Sequence, residues 1–264
     1  MLLRRVVTAL VLLSMLIPAL LAPQPWVWAL FSLAFVILAC WEWMRLIEPS
    51  RSQSAMFFAL VAFGVLGLVD MVTHERSLLL HSVMPVSMLA CLAWCSLVPM
   101  SFQGRARQSW LQAWLACIFL LAAWLALLEL HRIDLLLLFS TLVLVWLADV
   151  AAYFTGRNLG RRKLAPAISP GKTQEGAAGA CAGTVLMGLC CILFDSALLE
   201  STLPKRWYLL LSWWMNQAMA ALLVLLLLLS LVILSILGDL YESQLKRIAG
   251  VKDSSKLLPG HGGI

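Results

Sequence analysis

The chain has 264 residues, 62% of them hydrophobic and 12% charged, with a formal net charge of +6 and a mean hydropathy of +0.95. That balance excludes a soluble globular domain and describes an integral membrane protein. The positive charge is spread along the chain on one expected side of the membrane, which suits anionic headgroups and argues against a nucleic-acid footprint.

A membrane-crossing helix needs about 20 mostly apolar residues. In chain order, the stretches that qualify are 6–22, 26–43, 55–72, 78–98, 110–129, 135–154, 176–194 and 209–237. The expected fold class is therefore all-α, a polytopic bundle of about eight transmembrane helices forming a single membrane domain over 1–264. In the first stretch, Arg4 and Arg5 precede an apolar run ending in Ala19-x-x-Ala22, which could be taken for a signal peptide. Cleavage would remove one span and invert the charge rule downstream, so an uncleaved helix with a tolerated kink at Pro18 is expected. In the second, Glu42 lies one turn from Arg45, and an interfacial ion pair is expected there rather than a functional acid. Spans within 1–134 carry little chemistry, with Asp70, Glu75, Glu129 and Asp134 bordering loops. The last of these stretches is overlong, so it tilts or protrudes into water.

Taking the N-terminus as cytoplasmic, fifteen of the 19 lysines and arginines fall on the inner side. Both termini are then expected in the cytoplasm. All 7 cysteines fall inside spans and none forms a metal-type pair. Cys91 and Cys95 share a helix face, where core packing is expected rather than metal ligation. Tryptophans near span ends, such as Trp26, Trp41, Trp43, Trp110, Trp207, Trp213 and Trp214, read as interfacial anchors.

Polar density rises in two places within 135–264, and both fall on the expected cytoplasmic side. In the first, Asp149 and Tyr153 share a face one turn apart. Gly156, Arg157, Gly160, Arg161, Arg162 and Lys163 follow as a basic exit from the span. Ser169-Pro170-Gly171-Lys172-Thr173 then precedes a small-residue helix expected to begin near Gly176. Such a turn offers backbone N–H groups and a cation to a phosphate. It lacks the earlier glycine of a Walker A loop, because Pro166 stands there. The same cations would also satisfy the positive-inside rule with no ligand at all.

The second place is the C-terminal run. Ser235, Asp239, Ser243 and Lys246 recur at helical spacing as one polar stripe, flanked by Glu242 and Arg247. Lys252, Asp253, His261, Gly262 and Gly263 follow. Carboxylates beside clustered cations and a glycine pair suit a metal-bound phosphate. Asp239 is the expected Mg²⁺ ligand. Lys246, Arg247 and Lys252 can neutralise a triphosphate, and the His261-Gly262-Gly263 turn lets backbone approach it. Asp253 reads as a partner for Lys252 more than as a second ligand.

The segment Ser243-x-Leu-Lys246-Arg247, Lys252-Asp253, Leu258-Pro-x-His261-Gly262-Gly263 resembles the signature of the phosphatidate cytidylyltransferases, or CDP-diacylglycerol synthases. A second segment resembles the same family at Asp149, Ala152, Tyr153, Gly156, Ser169, Pro170, Lys172 and Thr173, departing at Gln174, where an aromatic residue is usual. The resemblance covers the C-terminal half with specific motifs. It implies that the phosphate of phosphatidate attacks the α-phosphate of CTP, giving CDP-diacylglycerol and pyrophosphate. It also implies Mg²⁺ as cofactor and a site facing the cytoplasm, and the compact layout suggests a bacterial inner membrane.

Asp239, Lys246 and Lys172 are then the expected catalytic residues. Asp149, Tyr153, Ser169, Thr173, Ser243, Arg247, Lys252, His261, Gly262 and Gly263 are expected to bind substrate. In the family the signature continues through Asp-Arg-x-Asp into a further helix, whereas this sequence ends at Ile264. Little or no CDP-diacylglycerol formation is therefore expected of these residues alone, as for a truncated, fragmentary or degenerate member. Rival readings are CTP-dependent transfer to another lipid acceptor, and a non-catalytic protein that binds lipid or nucleotide. A transporter is disfavoured, since no acidic or broken-helix site lies mid-membrane. Oligomeric state stays open, a homodimer included.

Overall fold

The computed structural model describes residues 2–47, 51–73, 82–102, 109–194, 217–255 and 257. His261, Gly262 and Gly263 lie outside the described residues. Helices dominate: α1 (Leu2–Leu21), α2 (Pro25–Ile47), α3 (Arg51–Thr73), α4 (Val83–Phe102), α5 (Ser109–Ile133) and α6 (Leu135–Leu159), then α7 (Gln174–Phe194) and α8 (Gln217–Ile248). A two-stranded hairpin, β1 (Lys163–Ala165) with β2 (Ser169–Thr173), separates α6 from α7. Among the described residues, five helices are long and apolar enough to cross a membrane. The chain is an all-α polytopic membrane protein.

The chain divides into two compact units, one of Met1–Arg132 with Leu245–Ile264 and one of Ile133–Gln244. In the first unit, α2 and α5 bury the largest side chains, including Trp28, Trp124, Leu115 and Leu125. Trp28 and Trp124 are not anchors at span ends. The Trp28 Nε1–H donates to the Leu127 carbonyl at 3.2 Å. The Trp124 Nε1–H donates to that of Ala29, also at 3.2 Å. These reciprocal bonds satisfy each indole inside an apolar interface. Trp26, Trp41 and Trp110 are exposed, as expected of anchors. Cys91 and Cys95, expected in a core, are exposed, while Cys40 is buried. A thiol is small and apolar enough to stand on either surface.

Glu42 also differs from the interfacial reading: it is buried at 4% exposure. Its carboxylate accepts a hydrogen bond from the Ser254 hydroxyl at 2.6 Å and another from the Ser255 hydroxyl. The Arg45 guanidinium lies over the Trp41 ring.

In the second unit, α6 and α7 pack through small residues. A Cβ added at Gly176 would sit 3.0 Å from the Ala152 carbonyl oxygen, and one at Gly183 would sit 2.9 Å from the Ala151 Cβ. Stripes of glycine and alanine let two apolar helices approach closely where lipid removes the usual hydrophobic drive. Val232 and Ile236 of α8 complete a small core with Ala148, Ala152, Ala180 and Cys181. Asp134 caps α6, its Oδ1 accepting from the Leu136 N–H at 2.6 Å and the Leu137 N–H at 3.0 Å.

The hairpin lies where a turn and nothing more is expected from the sequence. Its strands are antiparallel, with Lys163 opposite Thr173, Ala165 opposite Ser169 and an irregular register between. The Ile168 N–H donates to the Ala165 carbonyl at 3.1 Å. That closes a four-residue turn with Pro166 at the position where its fixed φ is favoured. The helix that follows starts at Gln174, two residues ahead of the expected Gly176, and the preceding helix runs on to Leu159 past the expected 154. Gly156 and Arg157 are therefore helical. The polar stripe on α8 is helical throughout, which accounts for the overlong last span.

Candidate active site

The site is built from the ends of three elements in the second unit. Thr173 ends β2 and caps α7: its Oγ1 accepts from the Gly176 N–H at 3.1 Å. The cap fixes where the strand stops and the helix begins, and so fixes Lys172 immediately before it. The hairpin is strapped to the same helix start. The Gln174 N–H donates to the Arg162 carbonyl at 2.9 Å, and the Arg162 N–H donates to the Glu175 carboxylate at 3.2 Å. The Glu175 carboxyl is held below its ordinary value by its own backbone N–H, then by those of Arg161 and Arg162 and the Arg162 charge.

Lys172, held in this way, reaches across to α8. Its Nζ lies 2.5 Å from the Asp239 Oδ2. The two residues are 67 positions apart in sequence. Both line a cavity of about 480 Å³, together with Asp149, Tyr153, Arg157 and Ser235. Buried Ala148, Ala180 and Val232 line it too, so the cavity joins an apolar surface to a charged one. Asp149 lies on α6 and lines the same cavity as Asp239 and Lys172. Tyr153 is exposed, and its hydroxyl accepts from the Arg157 guanidinium at 3.1 Å.

Among the residues expected at a site, the cavity thus gathers Asp149, Tyr153, Lys172, Thr173 and Asp239. Thr173 brings a hydroxyl already engaged as a helix cap. Ser169 does not reach the cavity lining: it stands at the far end of β2, paired with Ala165. Ser243 also lies outside the lining, one turn beyond Asp239 on α8. Lys246 and Arg247 occupy the last turn of that helix. Lys252 and Asp253 follow it, both exposed.

Glu175 went unassigned in the sequence, and Glu42 was given a different partner. Glu175 follows a Lys-Thr turn at a helix start, where an acid is electrostatically favoured, so a signal existed. The serine partners of Glu42 lie more than 200 positions away, and no local pattern reveals them.

Among the described residues, no group of three or more His, Cys, Asp or Glu side chains converges as a metal cage. Mg²⁺ does not need one: it is commonly bound by one or two carboxylates plus substrate phosphates and water. Asp149 and Asp239 are such a pair. Both line the same cavity, so the donors present fit the ion.

A carboxylate pair, a lysine and a buried alanine-rich surface in one cavity can hold a multiply charged phosphate beside an apolar tail. The sequence model of the Cytidylyltransferase family matches residues 3–264. A phosphatidate cytidylyltransferase of Pseudomonas aeruginosa is 35% identical over 272 residues, covering 100% of this chain and 90% of the relative. One from Haemophilus influenzae is 32% identical over 283 residues, covering 100% of this chain and 92% of the relative. One from Bacillus subtilis is 39% identical over 136 residues, 52% of this chain and 43% of the relative.

Proposed function

The chain belongs to the cytidylyltransferase family, and on that premise we propose that it transfers the cytidylyl group of CTP to phosphatidate. The observation that carries this reading is the Lys172–Asp239 pair. Two segments far apart in sequence, each bearing a motif of the family, meet at one cavity that is charged on one part and apolar on another.

In this reading a phosphate oxygen of phosphatidate attacks the α-phosphorus of CTP. The bond from that phosphorus to the bridging oxygen breaks, and pyrophosphate leaves. No protein nucleophile is needed, because the lipid phosphate is one. The protein's contribution is positioning and electrostatic stabilisation. Lys172 offsets charge that builds on the phosphates in the transition state, and its pairing with Asp239 aims the ammonium before substrate arrives. Asp239 and Asp149 would hold Mg²⁺, which when bound supplies further neutralisation of the triphosphate. Tyr153 and Arg157 stand at the exposed part of the cavity, and the alanine-lined part takes the glycerol end of the lipid. The basic residues of the hairpin set the cavity against the cytoplasmic leaflet of a bacterial inner membrane.

The test is CTP-dependent formation of CDP-diacylglycerol and pyrophosphate in vesicles containing phosphatidate. The 264-residue chain and a longer form that carries Asp-Arg-x-Asp and a further helix after Ile264 would be assayed side by side, with a polyprenyl phosphate as the competing acceptor. Phosphatidate-dependent product that disappears in Lys172→Gln and Asp239→Asn supports the reading. Lack of product in both forms, or preference for the polyprenyl acceptor, refutes it.

A further inference from the structure

Two serines on the apolar length of α8 are used differently. The Ser230 hydroxyl donates to the Leu227 carbonyl at 2.7 Å, the local bond by which a serine satisfies itself on a helix. Ser235 makes no such bond: among the described residues its hydroxyl has no hydrogen-bond partner. It is half-buried, and it lines the same cavity as Lys172 and Asp239. A helical serine that leaves its own backbone alone keeps a donor for whatever fills the cavity beside it.

The neighbours of Ser235 define what that donor can meet. Val232, one turn before it, and Ile236, next to it, pack with Ala148 and Ala180, and all four line the cavity. Ser235 is thus a neutral polar group set among apolar ones. Asp239 stands four residues on, about 6 Å further along the helix axis, where Lys172 meets it. Charged group, neutral donor and apolar surface therefore follow one another down α8. Phosphatidate has its groups in the same order: phosphate, glycerol with its ester carbonyls, then hydrocarbon. With the phosphate at the level of Lys172 and Asp239, the ester carbonyls fall about one helical turn deeper, at the level of Ser235. An ester carbonyl accepts and cannot donate, and it carries no charge, so a lone hydroxyl suits it where an ammonium would not.

The structure assigns Ser235 as a specificity-determining residue whose hydroxyl donates to an ester carbonyl oxygen of the lipid substrate. This rests on the reading of the chain as a phosphatidate-dependent transferase, and it names the part of the lipid that the apolar end of the cavity reads. A dialkyl ether analogue has the same phosphate and the same chains but no carbonyl. It leaves the Ser235 donor unpaired, and a site built to hydrogen-bond its substrate disfavours the analogue that lacks the partner.

The experiment sets wild type and Ser235→Ala against diacyl phosphatidate and its dialkyl ether analogue of equal chain length. Each lipid is presented at the same surface fraction in vesicles, to whichever of the two forms above turns over. The readouts are kcat/KM for each lipid and KM for CTP. Wild type is expected to prefer the diacyl lipid about three- to tenfold, the worth of one neutral hydrogen bond. Ser235→Ala is expected to lose that factor with the diacyl lipid and to stay within about twofold of wild type with the ether lipid. Its KM for CTP should stay within about twofold as well.

Equal losses with the two lipids overturn the inference, as the mark of a merely structural serine, and so does an undiminished kcat/KM for the diacyl lipid. A raised KM for CTP also overturns it, because the hydroxyl would then serve the nucleotide. If Ser235→Ala fails to accumulate in membranes, Ser235→Cys, which keeps the size and weakens the donor, decides by the same comparison. Wild type that forms no product from either lipid refutes the transferase reading itself, whereas active wild type with equal kcat/KM for the two lipids refutes this inference alone.

Discussion

Replacing Asp239 with asparagine separates what the Lys172–Asp239 pair does for stability from what it does for turnover. The two side chains are 30% and 51% exposed. The pair is thus wet on both sides, and its attraction is heavily screened. Exposed pairs of this kind contribute about 0–1 kcal/mol to folding. A loss of that size moves a melting midpoint by no more than about 4 °C in a chain of this length. The same carboxylate removed from a preorganised phosphate site costs about 10²–10³ in turnover. The expected result is a protein that melts almost as before and scarcely forms product. Thermal unfolding in detergent, followed beside pyrophosphate release in vesicles, measures both. Turnover within about threefold of wild type would refute the assignment. So would a large melting shift that accounts for the lost activity, since the pair would then be structural.

Three further outcomes follow from the same unit. Gly179→Ala would place its Cβ 2.3 Å from the Thr155 Oγ1 and 2.5 Å from the Thr155 Cβ, whereas Gly171 has no atom within 4 Å of an added Cβ. The first change is expected to destabilise by about 1–3 kcal/mol and the second by less than about 0.5 kcal/mol, read as shifts in thermal midpoint. Equal shifts would contradict the close approach of α6 and α7. Thr173→Val removes the oxygen that accepts the Gly176 N–H and is expected to cost about 1 kcal/mol. Thr173→Ser should retain most of that stability in the same measurement.

Glu175 supplies a pH dependence. Its folded carboxyl lies below the ordinary value, so the strap it forms on the Arg162 N–H is fully present above the unfolded Glu range. It is lost as pH falls through the lower, folded value. Amide exchange at Arg162 should therefore lose protection on acidification. In Glu175→Gln that acid step should vanish, and its persistence would assign the step to another group.

The helices were legible because a membrane span is a compositional object: length and apolarity alone decide it, and lipid forbids most alternatives. α2, α3, α5 and α6 were found in this way, and the polar stripe of α8 from its 3.6-residue period. The hairpin was not legible. A three-residue strand and a five-residue strand containing Pro170 and Gly171 have neither alternation nor β-branched enrichment, and its geometry comes from the Pro166 turn and from bonds to the start of α7. Thr173 was expected to bind substrate and lines the cavity, while its part as the cap of α7 was not legible beforehand. Ser169 shared the motif but lies outside the cavity lining, at the far end of β2 opposite Ala165.

Charge distribution and spacing in the sequence drew attention to the two segments that hold Asp149, Lys172 and Asp239, and the resemblance to the phosphatidate cytidylyltransferases implied what those residues do. That Lys172 closes on Asp239, and that Glu42 takes the hydroxyls of Ser254 and Ser255, came only from the tertiary structure. Side-chain spacing reports neighbours on one helix, within a turn or two. A contact across 67 or 212 positions depends on how helices pack, and that is decided by glycine and alanine surfaces whose partners no local pattern names.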